Sequence, residues 1–245
     1  MKTIEYGEVL ANDKLQHQIY QLTLASEEIA RVAEAGQFLM IYLDNGINLL
    51  PRPFTIHEVG SESISVVYQV TGEGTQQLSH LEAGDEVRLL GPLGTGYTAQ
   101  KAASVLLLGS GVGVSGLYLL AQDLLEAGVG QLTIGMTFRK RLLLVDAFKA
   151  LPNTQVIVTT EVGNEAENAS LFDQIPLKKG KYERIYICGD EAFMAEAKAW
   201  AVPLDVPIEM SHEGQMGCGM GACGQCINSA GIRICQEGPV LKEAK

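Results

Sequence analysis

Four thiols carry the most specific chemistry in this sequence. Cys218, Cys223, Cys226 and Cys235 fall within eighteen residues, spaced C-x4-C-x2-C-x8-C, while the fifth cysteine, Cys188, stands apart. The first three match the plant-type spacing of thiolate ligands to a [2Fe–2S] cluster, which takes its fourth cysteine from further along the chain. Glycine surrounds them at Gly217, Gly219, Gly221 and Gly224. A loop wrapped around a cluster needs permissive backbone angles and brings N–H groups towards sulfur, which tunes the potential. A structural zinc on four cysteines is the alternative, although such sites usually pair two C-x2-C knuckles and this chain has one. A disulfide framework would need a secreted context. His212-Glu213 lacks the second histidine of a zinc-peptidase helix, and His212 reads as an ordinary surface or hinge residue.

Two further constellations suit nucleotide cofactors. Pro51-Arg52-Pro53-Phe54-Thr55-Ile56 sets a guanidinium, an aromatic ring and a hydroxyl at the start of a strand. A guanidinium can fork onto a pyrophosphate, a ring can pack on an isoalloxazine, and a hydroxyl can hydrogen-bond flavin N5; an edge turn flanked by proline is the bland reading. Downstream, Tyr68-Gln69-Val70-Thr71-Gly72-Glu73-Gly74-Thr75 leads into an expected helix over Gln76–Leu81, where Gly74 and Thr75 could offer donors to phosphate. The second constellation is Leu106–Gly116, a strand running into Gly111-x-Gly113-x-x-Gly116 and then a helix, the context a dinucleotide-binding turn requires. The usual ribose-binding acid is missing. Phe138-Arg139-Lys140-Arg141 stands there instead, either receiving a 2′-phosphate or forming a solvated turn.

The elements that must position these groups change character along the chain. Runs rich in Val, Ile, Tyr and Thr at Ile19–Leu24, Phe38–Leu43, Ser63–Val70 and Glu86–Leu90, separated by turn residues, predict an antiparallel β-barrel over residues 1–99. From Ser104 strands and helices alternate. Strands at Val105–Leu108, Leu132–Phe138, Gln155–Thr160 and Arg184–Cys188, with helices at Val114–Glu126, Leu142–Leu151 and Glu191–Val202, predict a parallel α/β sheet over residues 100–209. Residues 210–245 form a small glycine-rich third unit around the cysteines. There is no low-complexity linker, so the joints at Gly96–Gln100 and Pro207–Ser211 read as tight.

Composition narrows the partners. With 18 basic and 29 acidic residues among 245, a net charge of −11 opposes a nucleic-acid backbone. Met1–Gly7 lacks a signal-peptide pattern, and the most apolar window, Val105–Ala121, is short and broken by glycine and serine, so the reading is a soluble, cytoplasmic chain with no membrane span.

Arg-Pro-Phe-Thr, Gly-x-Gly-Thr and Gly91-Pro92-Leu93-Gly94-x-Gly96, in that order, resemble the flavin barrel of the ferredoxin–NADP reductase superfamily, and Cys188-Gly189-Asp190-x-x-Phe193-Met194 resembles its nicotinamide-lining segment. With Glu213-Gly-Gln-Met216 before Cys218 and Cys235-Gln-Glu-Gly238-Pro239-Val240 at the end, nearly the whole chain is similar to the electron-transfer subunits of dihydroorotate dehydrogenase B. The resemblance implies FAD on Arg52, Pro53, Phe54, Thr55, Val67, Tyr68, Gln69, Gly74 and Thr75. It implies NAD at Gly109, Gly111, Gly113, Cys188 and Gly189, and the cluster on the four grouped cysteines. The bland alternative for Cys188 is a core cysteine at a strand end. The resemblance further implies a separate FMN-containing subunit oxidising dihydroorotate in pyrimidine biosynthesis, in an assembly of two plus two subunits. A flavin and iron–sulfur NAD(P)H reductase subunit of another complex, sulfide- or ferredoxin-linked, and a zinc-stabilised binding module remain as alternatives. The sequence departs from the family in a short insert before Cys235, in Val114-Ser115-Gly116 after the glycine turn, and in Glu161–Asn168, which lacks a glycine-rich stretch.

Overall fold

The computed structural model describes residues 2–43, 50–161 and 170–243. The chain forms two compact units, one made of the residues up to Gly96 with Gly214–Pro239, the other of Tyr97–Glu213 with the strand that begins at Val240. The third unit expected from composition is thus shared: the cysteines group with the N-terminal barrel, and the last strand joins the second sheet.

In the first unit β1 (Thr3–Gln16), β2 (Ile19–Ala25), β3 (Phe38–Tyr42), β4 (Arg52–Val59), β5 (Ser63–Gln69) and β6 (Glu86–Leu93) close an antiparallel barrel in the order β1-β2-β5-β4-β3-β6. Alternation along the strands fills it: Val9, Leu22, Leu24, Ile56, Val66 and Leu89 are inaccessible to solvent. β3 instead buries Phe38, Leu39, Met40 and Ile41 consecutively. A period of two puts Phe38 and Met40 on one face and Leu39 and Ile41 on the other, so both faces are covered. A short α1 (Glu27–Ala30) follows β2, and α2 (Glu73–Leu78) is tied to the barrel by Asn12, whose amide donates to the carbonyls of Leu78 (2.8 Å) and Leu81 (3.1 Å). The helix starts three residues earlier than Gln76, because Gly72 serves as its cap and Gln76 N–H already bonds back to Gly72 O at 2.9 Å.

In the second unit β7 (Ser104–Ser110), β8 (Gln131–Phe138), β9 (Thr154–Thr160), β10 (Arg184–Cys188) and β11 (Ile208–Ser211) run parallel, and β12 (Val240–Glu243) pairs antiparallel with β11; the order is β12-β11-β10-β7-β8-β9. The strands are linked through α3 (Tyr118–Glu126), α4 (Val145–Lys149), α5 (Leu171–Gln174) and α6 (Glu191–Ala201). Buried Phe193, Met194, Ala197 and Ala201 of α6 pack on Leu106, Leu108, Ile185 and Ile187, each fully buried Leu or Ile contributing about 1.5–3 kcal/mol. The helix expected from Val114 begins as a 3₁₀ segment at Gly111–Leu117, and that expected over Leu142–Leu151 is confined to Val145–Lys149 because Leu144 before it is left-handed, φ 58°. Among the described residues no helix is long and apolar enough to cross a membrane.

Candidate functional site

The cysteine segment follows β11 and ends in α7 (Ile234–Glu237), which carries Cys235. It seats on the barrel without room for side chains: a Cβ on Gly219 would stand 2.7 Å from Met40 Cγ and 2.9 Å from Leu93 Cδ1. This contact covers the Met40 side of β3. Gln236 holds the loop by donating to Met220 O at 2.8 Å, and Thr95 N–H bonds Gly238 O at 2.6 Å, so the two glycine-proline motifs flagged by the sequence meet. The short insert before Cys235 closes compactly, because Asn228 Oδ1 accepts from Ala230 and Ile232 N–H, both at 3.0 Å, and Ile234 N–H reaches Cys226 O.

The thiols associate in two pairs. Cys218 has Cys223 as a hydrogen-bonding neighbour, and Cys226, which accepts from Cys235 N–H at 3.4 Å, neighbours Cys235. Desolvation opposes ionisation of Cys218, yet the N–H groups of Met220, Cys223 and Ala222 and the Cys223 thiol outweigh it, and its pKa falls to about 6. Burial, then Cys226, pushes Cys235 up to about 11. Cys226 and Cys235 are buried while Cys223 is exposed. Among the described residues no three Cys, His, Asp or Glu side chains converge as ligands of one metal ion. Two thiol pairs, with amides aimed at sulfur, suit a binuclear cluster, which takes two thiolates on each iron.

On β4, Arg52, Pro53, Phe54 and Thr55 pair with Ile41, Met40, Leu39 and Phe38. The Arg52 side chain lies over Gly74 in the first turn of α2, and a Cβ there would run into the guanidinium. Arg52 also donates to Leu50 O. A cation beside the unpaired N–H groups of a helix start fits a pyrophosphate. Phe54 meets Tyr68 edge-on at 5.7 Å between centroids, Tyr20 stacks on Tyr68 at 5.7 Å, and the Tyr68 hydroxyl donates to Asn12 Oδ1 at 3.2 Å. Burial raises the Tyr68 pKa, which leaves it a neutral phenol. Val67 and Tyr68 are buried and Gln69 exposed. Thr75 Oγ1 accepts from Thr71 N–H (2.9 Å) and Gly72 N–H (3.1 Å) and donates to Gly72 O (3.0 Å), so its hydroxyl shapes the turn that leads into α2. Asn12, joining Tyr68 to α2, escaped the sequence reading because it sits in a polar stretch of β1.

The nucleotide constellation assembles at the carboxyl ends of the second unit's parallel strands. Gly109 on β7 pairs with Cys188 on β10, at the point where the strand order reverses. Gly113 approaches β10 so closely that a Cβ would lie 2.7 Å from Gly189 Cα. Ser110 Oγ donates to Asp190 Oδ2 at 3.0 Å, and Asp190 caps α6 by accepting from Phe193 N–H at 3.0 Å; these amide and hydroxyl bonds lower its pKa. A cavity of about 600 Å³ opens here, lined among others by Ser110, Gly111, Phe138, Thr160 and Phe193. Cys188 is held as a thiol, pushed up to about 12 first by burial and then by Glu213, with Ser211 and Tyr97 beside it. Glu213 is itself raised by burial and by Asp190. Glu213 in this group was legible only as part of a motif. Residues 162–168 of the Glu161–Asn168 departure lie outside the described residues.

Comparison with known proteins agrees with this arrangement. The model of the iron–sulfur cluster binding domain of dihydroorotate dehydrogenase B matches residues 213–245. Over 240 residues the chain is 31% identical to the dihydroorotate dehydrogenase B (NAD(+)) electron transfer subunit of Caldanaerobacter subterraneus subsp. tengcongensis, covering 95% of this chain and 94% of that one. The chain belongs to this family of electron transfer subunits. Family members are, by that name, parts of an assembly with a catalytic partner. The solved structure of an NADH-dependent reduced ferredoxin–NADP oxidoreductase, described for flavin-based electron bifurcation, is 26% identical and superimposes with a TM-score of 0.86 over 96% of this chain and 87% of that one. A ferredoxin–NADP+ reductase from Neisseria gonorrhoeae with bound FAD and NADP shares the fold at 14% identity, with a TM-score of 0.70 over 82% and 92% of the two chains.

Proposed function

We propose that this chain relays electrons between a separate FMN-containing, dihydroorotate-oxidising subunit and NAD+, through a [2Fe–2S] cluster and FAD. The observation that carries the reading is the two-pair arrangement of Cys218 with Cys223 and Cys226 with Cys235, seated on a barrel whose Arg52–Gly74 cradle fits a pyrophosphate. When bound, FAD exchanges electron pairs with nicotinamide and single electrons with a cluster, a conversion neither neighbour performs alone. The chain's residues hold and orient. The four cysteines serve as thiolate ligands, with backbone amides favouring charge on sulfur. Arg52 and the first turn of α2 take the FAD pyrophosphate, Phe54, Thr55 and the Val67–Gln69 strand flank its rings, and Gly109, Gly111, Gly113, Cys188 and Gly189 admit the nicotinamide nucleotide. Cys188, kept protonated, packs against the nicotinamide rather than reacting with it. Residues 1–99, 100–209 and 210–245 divide these tasks between FAD, NAD and cluster. The assembly is cytoplasmic, with two copies of each subunit.

The test is the visible spectrum of anaerobically purified protein, with iron, sulfide and flavin assays, before and after NADH. One flavin and two irons per chain, bleached by NADH, are expected; a colourless protein overturns the reading. The likeness to the NADH-dependent ferredoxin–NADP oxidoreductase favours a second reading, a reductase subunit of a ferredoxin-linked complex. Co-purification at equal stoichiometry with an FMN-containing chain that oxidises dihydroorotate distinguishes the two.

A further inference from the structure

We propose that Met40 is the positioning residue that sets how far the cysteine loop stands from the flavin-binding strand, and that its bulk thereby governs the rate of single-electron transfer between cluster and FAD. The inference rests on the reading that the four grouped cysteines hold the cluster and that Arg52–Thr55 of β4 hold the flavin. In the barrel β3 lies between β4 and β6, so one strand separates the residues expected at the flavin from those on which the loop seats. Met40 takes part in both relations. Its backbone is registered with Pro53 of β4 on one side and with Leu90 of β6 on the other, neighbouring strands standing about 4.8 Å apart, and its side chain ends against Gly219, the residue that follows Cys218.

The seat is tight and apolar. Met40 and Leu93 are both buried, and a Cβ on Gly219 would lie 2.7 Å from Met40 Cγ, 3.1 Å from Met40 Sδ and 2.9 Å from Leu93 Cδ1, so the loop backbone stands as close as these side chains allow. A second contact uses the same face of β3. Phe38, registered with Thr55 of β4, and Pro239, at the end of the loop, close on one spot: a Cβ on Gly94 would lie 3.0 Å from Phe38 Cε1 and 2.6 Å from Pro239 Cδ. The two contacts differ in stiffness. The second is fixed by the backbone bond from Thr95 N–H to Gly238 O, whereas the first depends on an unbranched, adaptable side chain. Met40 is therefore the adjustable stop, and it acts beside a cluster ligand. Electron transfer falls off exponentially with the separation of the two centres, so a small change in this gap is read as a large change in rate.

The experiment is flash photoreduction of the loaded protein. A photoexcited deazaflavin with a sacrificial amine donor delivers one electron, and its redistribution between cluster and flavin, with no bond made or broken, is followed at their separate absorption bands. Wild type is compared with Met40→Leu, Met40→Phe, Gly219→Ala and the double variant Gly219→Ala, Met40→Ala, with both reduction potentials and the iron and flavin contents measured on each. Met40→Leu conserves volume and should keep the wild-type rate. Met40→Phe and Gly219→Ala add bulk from opposite sides of the contact and should each slow the redistribution about tenfold at unchanged potentials. In the double variant the new methyl enters space that Met40 has left, and most of the rate should return, a non-additivity that a merely destabilised loop would not give. In iron-free protein, amide exchange at Met220 should quicken in Met40→Ala. A wild-type rate in Met40→Phe with its cluster intact, no recovery in the double variant, or unchanged exchange at Met220 overturns the inference and leaves the cofactor assignment standing. Wild type without flavin or cluster overturns both. Should Gly219→Ala fail to hold a cluster, Met40→Phe decides alone, because it imposes no left-handed strain.

Discussion

The cysteine loop and the nucleotide turn are both glycine-rich, yet their glycines answer different demands. At Gly219 the backbone is left-handed, φ 65°, and the missing side chain also makes room for Met40 and Leu93. In the nucleotide turn the two demands fall on different residues. Gly111 has φ 52° and open space around it, while Gly113 has no unusual φ and is hemmed in by backbone atoms of Cys188 and Gly189. Composition alone cannot separate curvature from close approach, and the two tolerate substitution differently.

The largest expected effect lies at the thiols. Cys226→Ser should abolish the [2Fe–2S] absorbance and most bound iron while the flavin is retained, read by visible spectrum and iron assay; a retained cluster would remove Cys226 from the ligand set. Next comes Gly113→Ala, where backbone cannot yield as a side chain can: about 2–3 kcal/mol of stability in urea denaturation and at least tenfold weaker NAD+ binding. Gly219→Ala combines left-handed strain with a contact that Met40 can partly relieve, so about 1–2 kcal/mol and a faster loss of cluster on exposure to chelator are expected. Gly111→Ala faces strain without a clash and should cost about 1 kcal/mol. If it proves as damaging as Gly113→Ala, the distinction between the two demands fails.

The smallest effect concerns Asp190, whose carboxylate is stabilised by the amide and hydroxyl it accepts from. Asp190→Ala should lose a cap worth about 1 kcal/mol. Because the folded pKa is depressed, that contribution is present above the ordinary carboxylate range and disappears as pH falls through the lowered value. Denaturation of wild type and variant between neutral and acidic pH should therefore give curves that converge at the acid end.

Much of the architecture was legible because hydrophobic runs dominate it: the β7, β8 and β10 runs are buried on both faces, and short apolar strands announce that. β1 was missed as a strand. It alternates exposed and buried residues but fills many positions with Glu, Asn, Asp and Lys, and Ile4 and Tyr6 point outward at 66% exposure each, so no apolar face stands out. β12 was missed because a four-residue strand makes sense only once β11 is in place to pair with it. At the candidate site, spacing revealed which cysteines group but not how they pair, and sequence showed Arg52 and Gly74 without the contact between them. The role of Thr75 within its own turn depends on hydrogen-bond geometry that residue type does not reveal.

The pairing of Ser211 with Val240 has a consequence for assembly. The whole cysteine segment leaves the sheet at β11 and returns at β12, so in topological terms it is an oversized hairpin loop. Its ends are clamped by backbone hydrogen bonds that involve no cysteine, and most of the entropy of closing it is already lost when the sheet forms. Completion of the sheet therefore does not draw on the thiols, and a chain emptied of iron is expected to keep the loop's ends in register, which amide exchange along Ile208–Ser211 with and without iron would check.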